Sequence, residues 1–232
     1  LTSCVFCPPA SVPHFPPSPG HILLTGGAPP HQSTELFPPV PGCSPAQLPS
    51  PRRYHSTFIS DEGVVATCGG KDSDVTLTDC IVLDSVTKQW HSDPTVMGDL
   101  PGKRRWAADV TVVGVGTYLM GGFDGSSFMS TSAFLPSGSA TWQSGPDLLQ
   151  ALDDACAFSF HQSVFLTGGL SSSYSALNEV LEYSTVNQQW LPPSTWPRLQ
   201  LARYAHGCAR LGEMAVIAGG AAGDSTELID LK

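Results

Sequence analysis

The sequence predicts an all-β chain built from repeated four-stranded antiparallel sheets, and three observations predict it. First, five short apolar runs each end in a glycine pair: Gly26-Gly27, Gly69-Gly70, Gly121-Gly122, Gly168-Gly169 and Gly219-Gly220. Their starts lie 43, 52, 47 and 51 residues apart, a period at which self-similarity marks repeated supersecondary units. Second, Trp90, Trp142 and Trp190 follow the middle three pairs by 20 or 21 residues. Third, Arg53-Tyr54, Arg105-Trp106 and Arg203-Tyr204 precede the first glycine of three pairs by 16 and 15 residues, while the fourth unit has Leu152-Asp153 at that spacing.

The elements of a unit follow in order. A first strand is expected at Ser56-Thr57-Phe58-Ile59, Val110-Thr111-Val112-Val113 and Ala157-Phe158-Ser159-Phe160, where β-branched and aromatic residues are bounded by turn formers. The apolar run into each glycine pair is the second strand. Ile81-Val82-Leu83 and Val180-Leu181-Glu182-Tyr183 read as third strands, and the tryptophans, each after a polar turn such as Thr87-Lys88-Gln89, sit on a fourth. No segment sustains a helical period with caps, although Asp147–Leu152 has the composition for one helical turn. A four-stranded sheet of this kind must bury both faces against neighbours, and radial packing of such sheets is the β-propeller solution. Glycine at the strand end admits a positive φ and a close backbone approach. Tryptophan would fill the wedge between sheets, with its indole N–H needing an acceptor or solvent.

With these markers, residues 20–232 resemble kelch repeats, whose hallmark is an apolar run into Gly-Gly followed by a turn and Trp at about 50 residues per blade. The resemblance implies a kelch-type β-propeller of four-stranded blades, approximately 20–49, 50–101, 102–148, 149–200 and 201–232. It also implies an incomplete one, of about four and a half blades. The first unit has Pro41-Gly42-Cys43-Ser44-Pro45 where Trp is expected, and the fifth breaks off at Ser225-Thr226-Glu227-Leu228-Ile229-Asp230-Leu231, which echoes Ser33-Thr34-Glu35-Leu36-Phe37. Closing a ring would take sequence beyond these residues. Residues 1–19 are either a Pro-rich segment or the remnant of a preceding blade, and a start at Leu1 leads to the expectation that further sequence precedes it.

Composition narrows the partners. A net charge of -9 with 13% charged residues argues against a nucleic-acid surface, which needs clustered Lys and Arg. No apolar run reaches the roughly 18 residues that mark a membrane span. Seven cysteines are too few for a disulfide-dense scaffold, and their odd number leaves at least one without a partner in these residues. Cys4-x-x-Cys7 lacks the second half of a zinc site. Cys68 and Cys80 fall on successive strands of one unit, and Cys43 could reach its edge, so disulfides are feasible and an extracellular setting is favoured over a cytoplasmic one. No Asn-x-Ser/Thr sequon accompanies them.

Chemistry is not expected. His55 and His206 fall beside the repeated arginines, at recurrent places rather than one converging site, so they read as polar tips near strand starts. Ser171-Ser172-Ser173 and Gly125-Ser126-Ser127 lack a nucleophile elbow, and Gly69-Gly70-Lys71-Asp72 lacks the spacing of a phosphate loop. Asp153-Asp154 would point to opposite faces of a strand. Galactose oxidase relatives carry a kelch-like propeller around a copper–radical centre, but Tyr54, Tyr118, Tyr174, Tyr183 and Tyr204 have no matching context. No catalytic residue, metal or cofactor is therefore expected. The expected function is a non-catalytic scaffold that holds a protein or peptide through inter-blade loops. Arg53, Tyr54, Arg105, Trp106, Arg203 and Tyr204 are its candidate partner-binding residues, and the alternative is that each arginine braces its own blade. The resemblance further implies recruitment to a cullin-type ubiquitin ligase, actin binding or extracellular adhesion, without choosing among them. No BTB or BACK segment lies in these residues to favour the ligase.

Overall fold

The computed structural model describes residues 4–5, 22–26, 32–37, 46–84 and 86–232. Within them the protein is all-β, and its helical content is one 3₁₀ turn at Gly220–Ala222. Among the described residues, five antiparallel sheets of three or four strands follow one another along the chain, each a meander in sequence order, with two two-stranded ladders beside them, Lys71–Asp72 with Val75–Thr76 and Leu152–Asp153 with Leu170–Ser171. The first comprises Cys4–Val5, Ile22–Thr25 and Thr34–Phe37. The second comprises Ser56–Ile59, Val65–Cys68, Cys80–Leu83 and Trp90–His91. The third comprises Ala108–Val112, Gly116–Met120, Ser132–Pro136 and Gln143–Ser144. The fourth comprises Cys156–Phe160, Ser163–Thr167, Val180–Ser184 and Gln189–Trp190. The fifth comprises Gly207–Leu211, Met214–Ala218 and Thr226–Asp230. The echo between Thr34–Phe37 and Thr226–Asp230 is therefore one of like elements, both third strands. No closed ring of sheets forms among the described residues.

The sheets stack with their first strands side by side. Covering on both faces explains why Val65–Cys68 and Gly116–Met120 are buried along their whole length instead of alternating. The first strands differ. In Ala108–Val112, Ala108, Val110 and Val112 are buried while Asp109 and Thr111 are half-buried, the period of a strand with one packed face and one open face. Apolar side chains meet in each seam: Phe58, Met97, Leu119 and Trp142 between the second and third sheets; Tyr118, Met120, Leu166 and Leu181 between the third and fourth; Phe165, Val180, Leu199 and Ile217 between the fourth and fifth.

Trp142 thus fills the wedge towards the preceding sheet, as expected for these markers. Trp190 packs likewise against the third sheet and donates its indole N–H to the Asp147 carbonyl at 2.8 Å. The helical turn for which Asp147–Leu152 has the composition is not formed. The backbone N–H groups of Leu148 and Leu152 donate instead to Ser130 and Met129 of the third sheet's loop, and Leu148 plugs the core. Two disulfides are present among the described residues. Cys68–Cys80 ties the second and third strands of the second sheet, as the sequence allowed, and Cys156–Cys208 ties the first strands of the fourth and fifth sheets. Cys43 lies outside the described residues. Two disulfides fit an oxidising, extracellular setting.

Candidate functional site

The first strands of the second to fifth sheets surround a cavity of about 970 Å³, lined among others by Phe58, Val110, Thr111, Phe158 and Ser159. Four of its lining residues, one just before the first strand of each of these sheets, hold left-handed backbone: Tyr54 (φ 60°), Trp106 (φ 57°), Asp154 (φ 50°) and Ala205 (φ 52°). They are joined in series. The N–H of Trp106 donates to the Tyr54 carbonyl at 2.9 Å, Asp154 to Trp106 at 3.0 Å, and Ala205 to Asp154 at 2.8 Å. A left-handed conformation is unfavourable for residues with a Cβ, and it persists here because each peptide is gripped by the next sheet.

The same geometry realigns the arginines. The left-handed residues put Arg53, Arg105, Asp153 and Tyr204 at one equivalent place, and Arg52, Arg104, Leu152 and Arg203 at another. The glycines report this independently, since a Cβ on Gly69 would meet the Arg104 carbonyl at 2.4 Å, on Gly121 that of Leu152 at 2.5 Å, and on Gly168 that of Arg203 at 2.4 Å. Constant spacing had grouped Arg203 with Arg53 and Arg105. It belongs instead with Arg52 and Arg104, because the first hairpin is one residue shorter in the fourth and fifth sheets than in the third: His161-Gln162 and Gly212-Glu213 against Val113-Gly114-Val115.

The two places have different jobs. Arg52, Arg104 and Arg203 are buried braces. Arg52 pairs with Asp79 at 2.8 Å, and Arg104 donates to the carbonyls of Gly121 and Thr131, its charge disfavoured by burial so that its pKa falls to about 10. Arg203 is fully buried. It donates to the carbonyls of Gly219 and Ser225, both at 3.2 Å, and to Ser225 Oγ at 3.1 Å, and pairs with Glu227 at 2.6 Å. Sequence reasoning missed Arg52 and Arg104, though the doubled Arg52-Arg53 and Arg104-Arg105 carried the signal.

Arg53 and Arg105 are half-buried and lie against aromatic rings instead. The Arg53 guanidinium lies 5.0 Å from the Tyr54 ring centre, and that of Arg105 lies 4.4 Å from Trp106 and 4.8 Å from Phe123. Neither makes an ion pair within 4 Å among the described residues. Tyr54 and Trp106 meet at 4.6 Å, and the rings continue through Phe123, Phe128 and Tyr174 at 6.0, 5.6 and 5.3 Å. Tyr174 is 76% exposed. Phe123, Phe128 and Tyr174 were not foreseen, because the loops after the glycine pairs share no repeated aromatic position. Tyr204 is half-buried on the fifth sheet, away from this run of contacts.

The titratable groups nearby are tuned by burial. His55 falls to about 3 through burial and the Arg52 charge, and His206 to about 4 through burial and Arg203, so both are neutral. They are not polar tips but equivalent bolts between sheets, His55 Nε2 to Thr25 Oγ1 at 2.8 Å and His206 Nε2 to Thr167 Oγ1 at 3.0 Å. Burial, with the charge of Asp154, lifts Asp153 to about 7, and burial lifts Asp154 to about 6. At neutral pH Asp153 therefore offsets the Arg105 charge only in part. No cluster of metal-binding side chains occurs among the described residues. No protein-family model and no curated protein matches the chain.

Proposed function

We propose that this chain is a non-catalytic protein-binding scaffold, a kelch-type β-propeller whose rim of Arg53, Tyr54, Arg105 and Trp106 holds a protein or peptide partner outside the cell. The observation that carries this reading is the state of the two rim arginines, which are stacked on aromatic rings and make no ion pair among the described residues, while their counterparts at the neighbouring place are buried and bonded. Arginine and aromatic side chains dominate binding hot spots, and these are held on loops by rigid strands. Phe123, Phe128 and Tyr174 extend the surface over the third and fourth sheets. Arg203 is not part of it, because its guanidinium is sealed inside the fifth sheet. The two disulfides support the extracellular placement, and the glycine–tryptophan phasing supports the kelch assignment.

Selection of peptides from a displayed library against the folded chain tests the reading. Peptides chosen on the wild type should lose at least about tenfold in affinity on Arg53→Ala/Arg105→Ala, which is modest for two hot-spot residues. Unchanged affinity on a folded double variant would move the site off this rim.

A further inference from the structure

The two disulfides differ in what can reach them. Cys68 and Cys80 are 2% and 0% exposed, locked in the core with Met97. Cys156 and Cys208 are half-buried, and both line the central cavity. Arg210 lines it too, two residues from Cys208 on the same strand and hence on the same face, where its charge favours an approaching thiolate. The carboxylates on this cavity are Asp109 and Asp154.

Position gives this disulfide a mechanical role. It joins the first strands of the fourth and fifth sheets across 52 residues of chain. The fifth sheet packs on the fourth through these first strands. The seam's other ties are non-covalent: Gly169 N–H to the Arg203 carbonyl, Ala205 N–H to the Asp154 carbonyl, the Thr167–His206 bond and the apolar cluster around Phe165 and Ile217.

We propose that Cys156–Cys208 is a thiol-exchange site, at which a small dithiol entering through the cavity opens the covalent clasp between the fourth and fifth sheets. A thiolate of the dithiol attacks one sulfur, the Cys156–Cys208 bond breaks, and the departing sulfur takes a proton. The second thiol of the reagent then displaces the remaining cysteine. The protein gains two electrons and two protons as a pair of thiols, and the dithiol leaves as a cyclic disulfide. Exposure makes this pair the labile one, whereas Cys68–Cys80 survives as a structural crosslink. Opening leaves the non-covalent seam in place, so the fifth sheet loosens without the other sheets unfolding.

Differential alkylation tests this on the native chain. Free thiols are blocked with iodoacetamide, dithiothreitol is titrated in, and newly freed cysteines are trapped with N-ethylmaleimide and mapped by mass spectrometry, with amide hydrogen exchange followed in parallel. Cys156 and Cys208 should be trapped at about tenfold or more lower dithiothreitol than Cys68 and Cys80. Exchange should then rise in 207–230 while 108–136 stays protected. Cys156→Ser/Cys208→Ser should show the same exchange pattern without reductant. The proposal is overturned if both pairs open together, if Cys68–Cys80 opens first, or if amides of 207–230 are unchanged once Cys156 and Cys208 are trapped. The wild-type titration decides the matter even where the double variant does not fold, and no outcome depends on the rim binding a partner.

Discussion

Replacing Arg203 by methionine tests whether the arginines divide into braces and rim residues. Methionine keeps much of the buried volume and removes the guanidinium. Four acceptors lose their donor: the carbonyls of Gly219 and Ser225, Ser225 Oγ, and a Glu227 oxygen. Glu227 keeps the N–H groups of Gln200 and Leu201, at 2.6 and 3.1 Å, but loses its countercharge. Breaking a buried pair from one side costs about 3–5 kcal/mol. At about 2–4 °C per kcal/mol for a chain of this size, the melting temperature should fall by roughly 6–20 °C. Arg53→Met removes only a stacking contact at the rim, worth about 0.5–1 kcal/mol, hence about 4 °C at most. Thermal unfolding followed by circular dichroism separates the two. If Arg203→Met melts within 2 °C of the wild type on the order expected for a neutral surface change, or Arg53→Met is as damaging, the division is wrong.

Two further perturbations follow from the same seams. His55 and His206 titrate below 6.5 in the fold, so the unfolded chain takes up protons first and stability is lost as pH falls from 6.5 towards 3–4; Asp153 and Asp154 titrate above the ordinary Asp value, so they stay protonated in the fold and oppose that loss between about pH 7 and 4. Asp153→Asn/Asp154→Asn should therefore lose about 2 kcal/mol more than the wild type between pH 6 and 4.5, allowing for partial exposure, and equal losses in urea titrations would contradict the assignment. Gly121→Ala, at φ 63° with the Leu152 carbonyl 2.5 Å from the new Cβ, should melt far lower than Gly63→Ala, at φ 79° in open space, where about 1 kcal/mol of backbone strain is the whole cost; similar melting temperatures would remove the close-approach argument.

What the sequence showed well was periodic and local. The glycine pairs mark where strands end because a neighbour's carbonyl occupies the space of a Cβ, a constraint that leaves glycine alone at that position. The tryptophans mark the wedge for a similar reason, since Trp142 and Trp190 each pack against the sheet before their own. The register of the arginines was not legible. Counting back from a glycine crosses the first hairpin, whose length varies by a residue, and that error moves Arg203 from the rim to the interior. Counting from the left-handed residue would have succeeded, but Tyr54, Trp106, Asp154 and Ala205 share a conformation without sharing chemistry. Cys156–Cys208 was hidden for a different reason: the two cysteines stand 52 residues apart, next to each other only when adjacent first strands are laid side by side.

The residue before each of the first four glycine pairs explains why these sheets stack in one order. Thr25 faces His55 of the following sheet, and Thr167 faces His206. Cys68 and Met120 occupy the same place in the second and third sheets, and there the following sheet supplies Ala107 and Ala155, each packed into the apolar cluster. All four preceding residues are buried, with at most 2% exposed, so a mismatch cannot be relieved by water. Exchanging neighbours would set a neutral imidazole against the Met120 thioether, a buried polar atom with its bond unmade at about 1–3 kcal/mol, while the threonine hydroxyl would keep only its bond to Thr57 or to the Cys156 carbonyl. Repeats that share a fold would otherwise pair indiscriminately. Here polar meets polar and apolar meets apolar one seam at a time, so the identity of each interface is written in two positions about thirty to forty residues apart.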